Sequence, residues 1–167
     1  MGMEDLLQQI EEGLKHNQYY LSLFVALTIP DICGAHGSED GKATGQRFKN
    51  WFNKYVAPKY SGFLDGDTCY LFRCSLLHQG LTNHINSRYS RILFIEPRTT
   101  SNILHNNIMQ DALNIDVNIF CQDIIASARE WLKEVKDTDQ FKINFEKFVK
   151  RHPTGLAPYI KGVPVIS

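Results

Sequence analysis

Net charge is the first thing this chain lacks. Eighteen lysines and arginines offset eighteen aspartates and glutamates over 167 residues. No whole-molecule field therefore draws it to DNA or to an acidic membrane, and any anion site has to be local. Cysteine is scarce: Cys33, Cys69, Cys74 and Cys121 show no disulfide-framework spacing, which reads as a reducing, cytoplasmic compartment. Long apolar runs are missing too. The longest, Leu21 to Pro30, is interrupted by Ser22 and Thr28, and the first residues carry Glu4 and Asp5 rather than a basic n-region. Neither a membrane span nor a secretory signal is expected. Gly2 follows Met1, yet Leu6 stands where a myristoylation pattern needs Ser or Thr. No Gly-rich phosphate loop, Rossmann fingerprint or serine-hydrolase elbow occurs, which leaves nucleotide-dependent and α/β-hydrolase chemistry without support.

What is present is one core's worth of apolar sequence, 43% of residues, without repeats or a Gly/Ser linker; residues 1–167 read as a single domain. Leu6, Leu7, Ile10 and Leu14 form a helical stripe, and Tyr20, Leu23, Phe24 and Leu27 form a second that Pro30 is expected to halt. A polar loop is expected from Gly34 to Gly41. Phe48, Trp51, Phe52, Tyr55 and Val56 then repeat at helical spacing up to Pro58. Asp65 and Asp67 are alternative N-caps for a helix over 68–79, with Tyr70, Cys74 and Leu77 on one face and Gly80 as its exit. Arg91 to Ile95 reads as a buried strand, a partner around Ile103 to Ile108 would make a hairpin, and Leu113, Ile115 and Val117 alternate as a third extended segment. A strong helix follows on Phe120, Ile124, Ala128, Trp131 and Val135. Asp137 with Gln140 resembles a capping box for a last helix on Phe141, Phe145, Phe148 and Val149. The expected fold is mainly α, with a small hairpin or three-stranded sheet between the fourth helix and the last two; α+β is the alternative.

The zero balance hides an asymmetry. Residues 1–40 hold seven acids against Lys15 alone, whereas Lys42, Arg47, Lys49, Lys54 and Lys59 fall in 41–60 without an acid. Cations interleaved with Trp51, Tyr55 and Tyr60 could track phosphates and stack bases along a single strand. Alternatively, the rings are core and the lysines solvate the outer face.

Chemistry concentrates in Phe72-Arg73-Cys74-Ser75-Leu76-Leu77-His78-Gln79-Gly80. Metal-free RNA cleavage needs a base for the 2′-OH, an acid for the leaving 5′-oxygen and a fixed cation for the phosphoryl charge. An imidazole with an ordinary pKa of about 6.5 and a planar guanidinium supply such groups. Five helical steps put His78 about 140° around from Arg73, so only a long arginine, or a second copy across a two-fold axis, could unite them. The segment resembles the R-x4-H signature of the HEPN superfamily, helical domains that include many metal-independent ribonucleases of defence and toxin systems. Cys74 stands where members commonly carry Asn, Asp or another polar residue. The resemblance implies a helical, cofactor-free RNA-binding protein or endoribonuclease, active as a homodimer whose site lies at the dimer interface. Arg73 and His78 would be the catalytic pair. Ser75, His84, Arg88, Lys54 and Arg47 are candidate supporting contacts to substrate.

Other readings use the same residues. Arg73 can simply pair with Asp67 or Asp31, and a histidine in the last turn of a helix is favoured by the dipole alone. In that case the protein is a non-enzymatic interaction or regulatory module, whose acidic first helices and basic third helix recognise another protein. A zinc set can be drawn from Cys33, His36, Cys69, Cys74 and His78, although C-x4-C on a helix is awkward for one ion. A Cys74 nucleophile with His78 as base shares that spacing but has no visible third member. The stretch Ile29-Pro30-Asp31-Ile32-Cys33-Gly34 carries no activity that its residues alone suggest.

Overall fold

The structure, a computed structural model, describes residues 2–99 and 101–167. Among these residues seven α-helices run as α1 (Met3–Lys15), α2 (Tyr19–Ala26), α3 (Ile29–His36), α4 (Gly45–Tyr55), α5 (Gly66–Gln79), α6 (Val117–Val135) and α7 (Asp139–Phe145), with a 3-10 turn at Ala57–Tyr60. Strands β1 (Arg91–Ile95), β2 (Asn107–Met109) and β3 (Ala112–Asp116) lie between α5 and α6. The C-terminal residues form two short antiparallel ladders, β4 (Arg151–His152) with β7 (Val165–Ile166) and β5 (Gly155–Leu156) with β6 (Ile160–Lys161). The chain is thus mainly helical with a small inserted sheet. Among the described residues no helix is long and apolar enough to cross a membrane.

Three local expectations are corrected. Pro30 opens α3 instead of halting α2: at the start of a helix its missing N–H has no partner to lose. The helix therefore takes in Gly34 to His36, the start of the expected loop, while Gly37 to Gly41 remain non-helical. The sheet is not a β1–β2 hairpin. β3 is central, parallel to β1 and antiparallel to β2. The β2–β3 turn sits on Gln110 and Asp111, both at positive φ, a turn geometry that Asn-Gly or Asp-Gly would have advertised and Gln-Asp does not. At α7 the cap is Thr138, whose side chain accepts from the Phe141 N–H, and neither Asp137 nor Gln140 supplies a capping box.

Helix α6 is the spine, packing on α1, α2, α3 and α4, while α3 lies along α4 and α4 along α5. Phe48, Phe52, Tyr60, Leu113, Ile115 and Phe120 are fully enclosed between them. Trp51 and Tyr55 are buried as well, so the rings of the basic helix belong to the core and form no stacking surface for bases. Arg129 of α6 reaches both Glu4 and Glu11 of α1, and Lys54 of α4 reaches Glu134 of α6. The charge asymmetry between acidic and basic segments is thereby largely answered inside the molecule.

Candidate functional site

Helix α5 is cut to length at both ends. The Asp65 side chain accepts the Thr68 N–H at 2.8 Å, which identifies Asp65 and not Asp67 as the N-cap. Asp67 instead pairs with Lys49 of α4 at 2.7 Å. Gly80 takes the left-handed conformation at φ 69°, and the Leu81 N–H closes back on the Ser75 carbonyl at 3.2 Å. This six-residue closure fixes the last turn, so His78 stands exposed at the rim. The face turned to the core is Thr68, Cys69, Phe72, Ser75 and Leu76. The expected face of Tyr70, Cys74 and Leu77 is only half-buried.

Arg73 lies on this flank and runs along the helix toward its C-terminal end. One Nη2 is 2.6 Å from Oδ2 of Asp31 on α3, and Nη1 is 3.3 Å from Nε2 of His78. Since a guanidinium only donates, Nε2 is the acceptor, and the imidazole proton of that pairing sits on Nδ1. The arginine is long enough to bridge the separation around the helix within one chain. The side chains of Arg73 and Asp31 retain 18% and 14% of their exposure. Burial pushes the Asp31 carboxyl above the usual carboxylate range, and the attraction of Arg73 offsets only part of that. The guanidinium Nε is buried without a hydrogen-bond partner. The set is a largely buried ion pair beside an open imidazole. It can hold the imidazole in one tautomer and offer the remaining N–H groups to an incoming acceptor.

The other sequence-nominated residues divide by location. Ser75, only 2% exposed, lines a cleft of about 610 Å³ together with His84 and Arg88, on the neighbouring flank of α5. Arg88 is already committed: it donates to the carbonyls of Gly62 and Phe63 and stands 3.9 Å from Asp65. Lys54 is tied to Glu134 and to the Tyr55 hydroxyl, and Arg47 to Asp40 and the Lys42 carbonyl. Neither contacts the Arg73–His78 pair. The residue that sequence reasoning placed only as a plain ion-pair partner is Asp31. Its signal was the polar break in Ile29-Pro30-Asp31-Ile32, an acid in the first turn of an otherwise apolar helix.

The drawn zinc set is not assembled. Cys33 and Cys69 are enclosed in the core, and His36 packs against Phe141, Phe145 and Phe148. Among the described residues no group of three or more His, Cys, Asp or Glu could hold a metal ion. Cys74 Sγ lies 3.9 Å from Arg73 Nη1 and is not aligned on His78 by any bond. Comparison with family models, curated proteins and solved structures finds no match to this chain.

Proposed function

We propose that this chain is a HEPN-like RNA-binding protein that cleaves RNA without metal as a homodimer, with His78 moving the proton and Arg73 meeting the phosphate. The observation that carries the reading is the Asp31–Arg73–His78 chain of contacts, which ends in an exposed imidazole. A phosphate oxygen replacing His78 as acceptor for Nη1–H would free Nε2 to take the 2′-OH proton, while Asp31 keeps the guanidinium from swinging away. One imidazole fills one proton-transfer role. The second copy of the chain is invoked to supply the other. The test is cleavage of single-stranded RNA by the purified chain in excess EDTA. Activity is expected to fall at least about a hundredfold in His78→Ala, the scale of losing a positioned acid or base. Intact RNA with the unaltered protein, or equal cleavage by the variant, rejects the reading.

A second reading rests on the same pair. The charge of Arg73 is already matched by Asp31, which is how an internal tie in a non-enzymatic interaction module would look. That module would cut no RNA, and His78→Ala would leave its binding partner untouched.

A further inference from the structure

The cleft beside the Arg73–His78 pair has the wrong chemistry for phosphate. Its one cation, Arg88, is held by the Gly62 and Phe63 carbonyls, and Asp111 adds a carboxylate to the wall. What the cleft offers freely is neutral hydrogen bonding. Among the described residues the side chains of Ser75, Gln79 and Asn83 form no hydrogen bond, although all three line it. The Nδ1 atom of His84 accepts the Asn86 N–H at 3.1 Å, so its Nε2 is left as a donor. Amide side chains that present a donor and an acceptor together match the edges of nucleobases, and a base is planar and apolar on its faces. Ile85, 97% exposed, and Leu81 supply apolar contact at the mouth, which would otherwise be an unexplained expense of hydrophobic surface. Gln79 follows His78 directly, one helical step of about 1.5 Å and 100° away. The wall of the cleft therefore begins at the residue next to the proposed proton-transfer group.

We infer that this cleft receives one unpaired nucleobase of the RNA whose phosphate lies at Arg73 and His78, an assignment that rests on the reading proposed above. The base is read by Gln79 and Asn83, floored by Ser75 and flanked by Ile85. The full-length chain can be titrated with a labelled single-stranded RNA pentamer and with the same ribose-phosphate pentamer lacking its bases, following anisotropy. Gln79 and Asn83 are both exposed, so the double variant Gln79→Ala/Asn83→Ala should fold as the parent does, which its thermal midpoint checks. It should lose about tenfold in affinity for the base-bearing pentamer, the scale of two or so net hydrogen bonds, and nothing for the abasic one. Parent-like affinity of the double variant for base-bearing RNA overturns the cleft assignment. If the unaltered chain still cleaves single-stranded RNA in excess EDTA and His78→Ala does not, the RNA reading survives that result. If the unaltered chain binds neither pentamer, both fall together.

Discussion

At the scale of single residues the Asp31–Arg73 pair is a tie whose halves depend on each other. Burial already holds the Asp31 carboxyl above the ordinary range with the guanidinium 2.6 Å away. Taking the cation away leaves an enclosed carboxyl that must either stay charged without a counter-charge or bind a proton at neutral pH. Removing one partner of such a pair is far more damaging than removing both. Arg73→Ala should therefore destabilise by about 3 kcal/mol in chemical denaturation at pH 7, with part of that restored by adding Asp31→Asn. His78, exposed at the helix end, should tolerate alanine within about 0.5 kcal/mol. The contrast separates the two roles: His78→Ala can be read as chemistry because it leaves the fold alone, whereas Arg73→Ala changes both. Equal stability of the two variants would mean that Asp31 and Arg73 do not hold α3 to α5.

At the scale of elements the pair is met by two helices kept apart by a third. Helix α4 packs on both α3 and α5, and it can do so closely because glycines stand at the contacts. A Cβ on Gly66 would fall 2.6 Å from the Lys49 carbonyl oxygen and 2.8 Å from its Cα; on Gly34 it would fall 3.0 Å from the Arg47 Cβ. Neither neighbour can yield as a side-chain tip can, and the approach at Gly66 is the closer, so Gly66→Ala should push α5 off α4 and destabilise by about 2 kcal/mol, against less for Gly34→Ala. Thermal unfolding of the two variants, with Asp31–Arg73 coupling measured in each, checks both the order and the link to the site. Much at this level was legible in the sequence. The stripes of α1, α4 and α6 and the Gly80 exit follow from spacing and capping chemistry alone, which also narrowed the α5 cap to Asp65 or Asp67. What escaped has physical reasons. A proline that ends one helix and a proline that begins the next look identical in sequence, and Pro30 does only the second. The parallel β1–β3 pairing depends on contacts distant in sequence, which periodicity does not encode. For the site, Arg73 and His78 were legible as a spacing, and Asp31 was not separable from Asp67 until α3 existed.

At the scale of the whole molecule the two halves are fastened by histidines that favour the uncharged state. His36 ends α3 among the rings of Phe141, Phe145 and Phe148, and its backbone carbonyl accepts from Asn144 of α7 at 3.1 Å. His105 joins the segment after β1 to the start of α6 by accepting the Asp116 N–H on Nδ1 at 3.2 Å, a bond that protonation abolishes. Burial lowers the pKa of both below the ordinary 6.5; for His105 the nearby Asp123 and Asp116 oppose it without cancelling it, and for His36 the Asn144 backbone does the same. The sign follows from linkage. Above the unfolded value both rings are neutral in either state and no stability is lost. As pH falls through about 6.5 the unfolded chain binds the protons first, so stability declines until the folded rings titrate in turn. The carboxyls act lower down. Asp40, held down to about 2 chiefly by Arg47, loses its contribution only as pH falls below the ordinary carboxylate range, and Asp31 and Asp123, raised by burial, change stability in the opposite sense just above that range. The thermal midpoint should therefore be lower at pH 5.5 than at pH 7.5, and the gap should shrink in His36→Leu/His105→Gln, which removes both titrations while glutamine keeps an acceptor for Asp116. A parent midpoint that holds steady or rises toward pH 5.5 would show that neither ring governs how the C-terminal helix and the sheet insertion are held to the bundle.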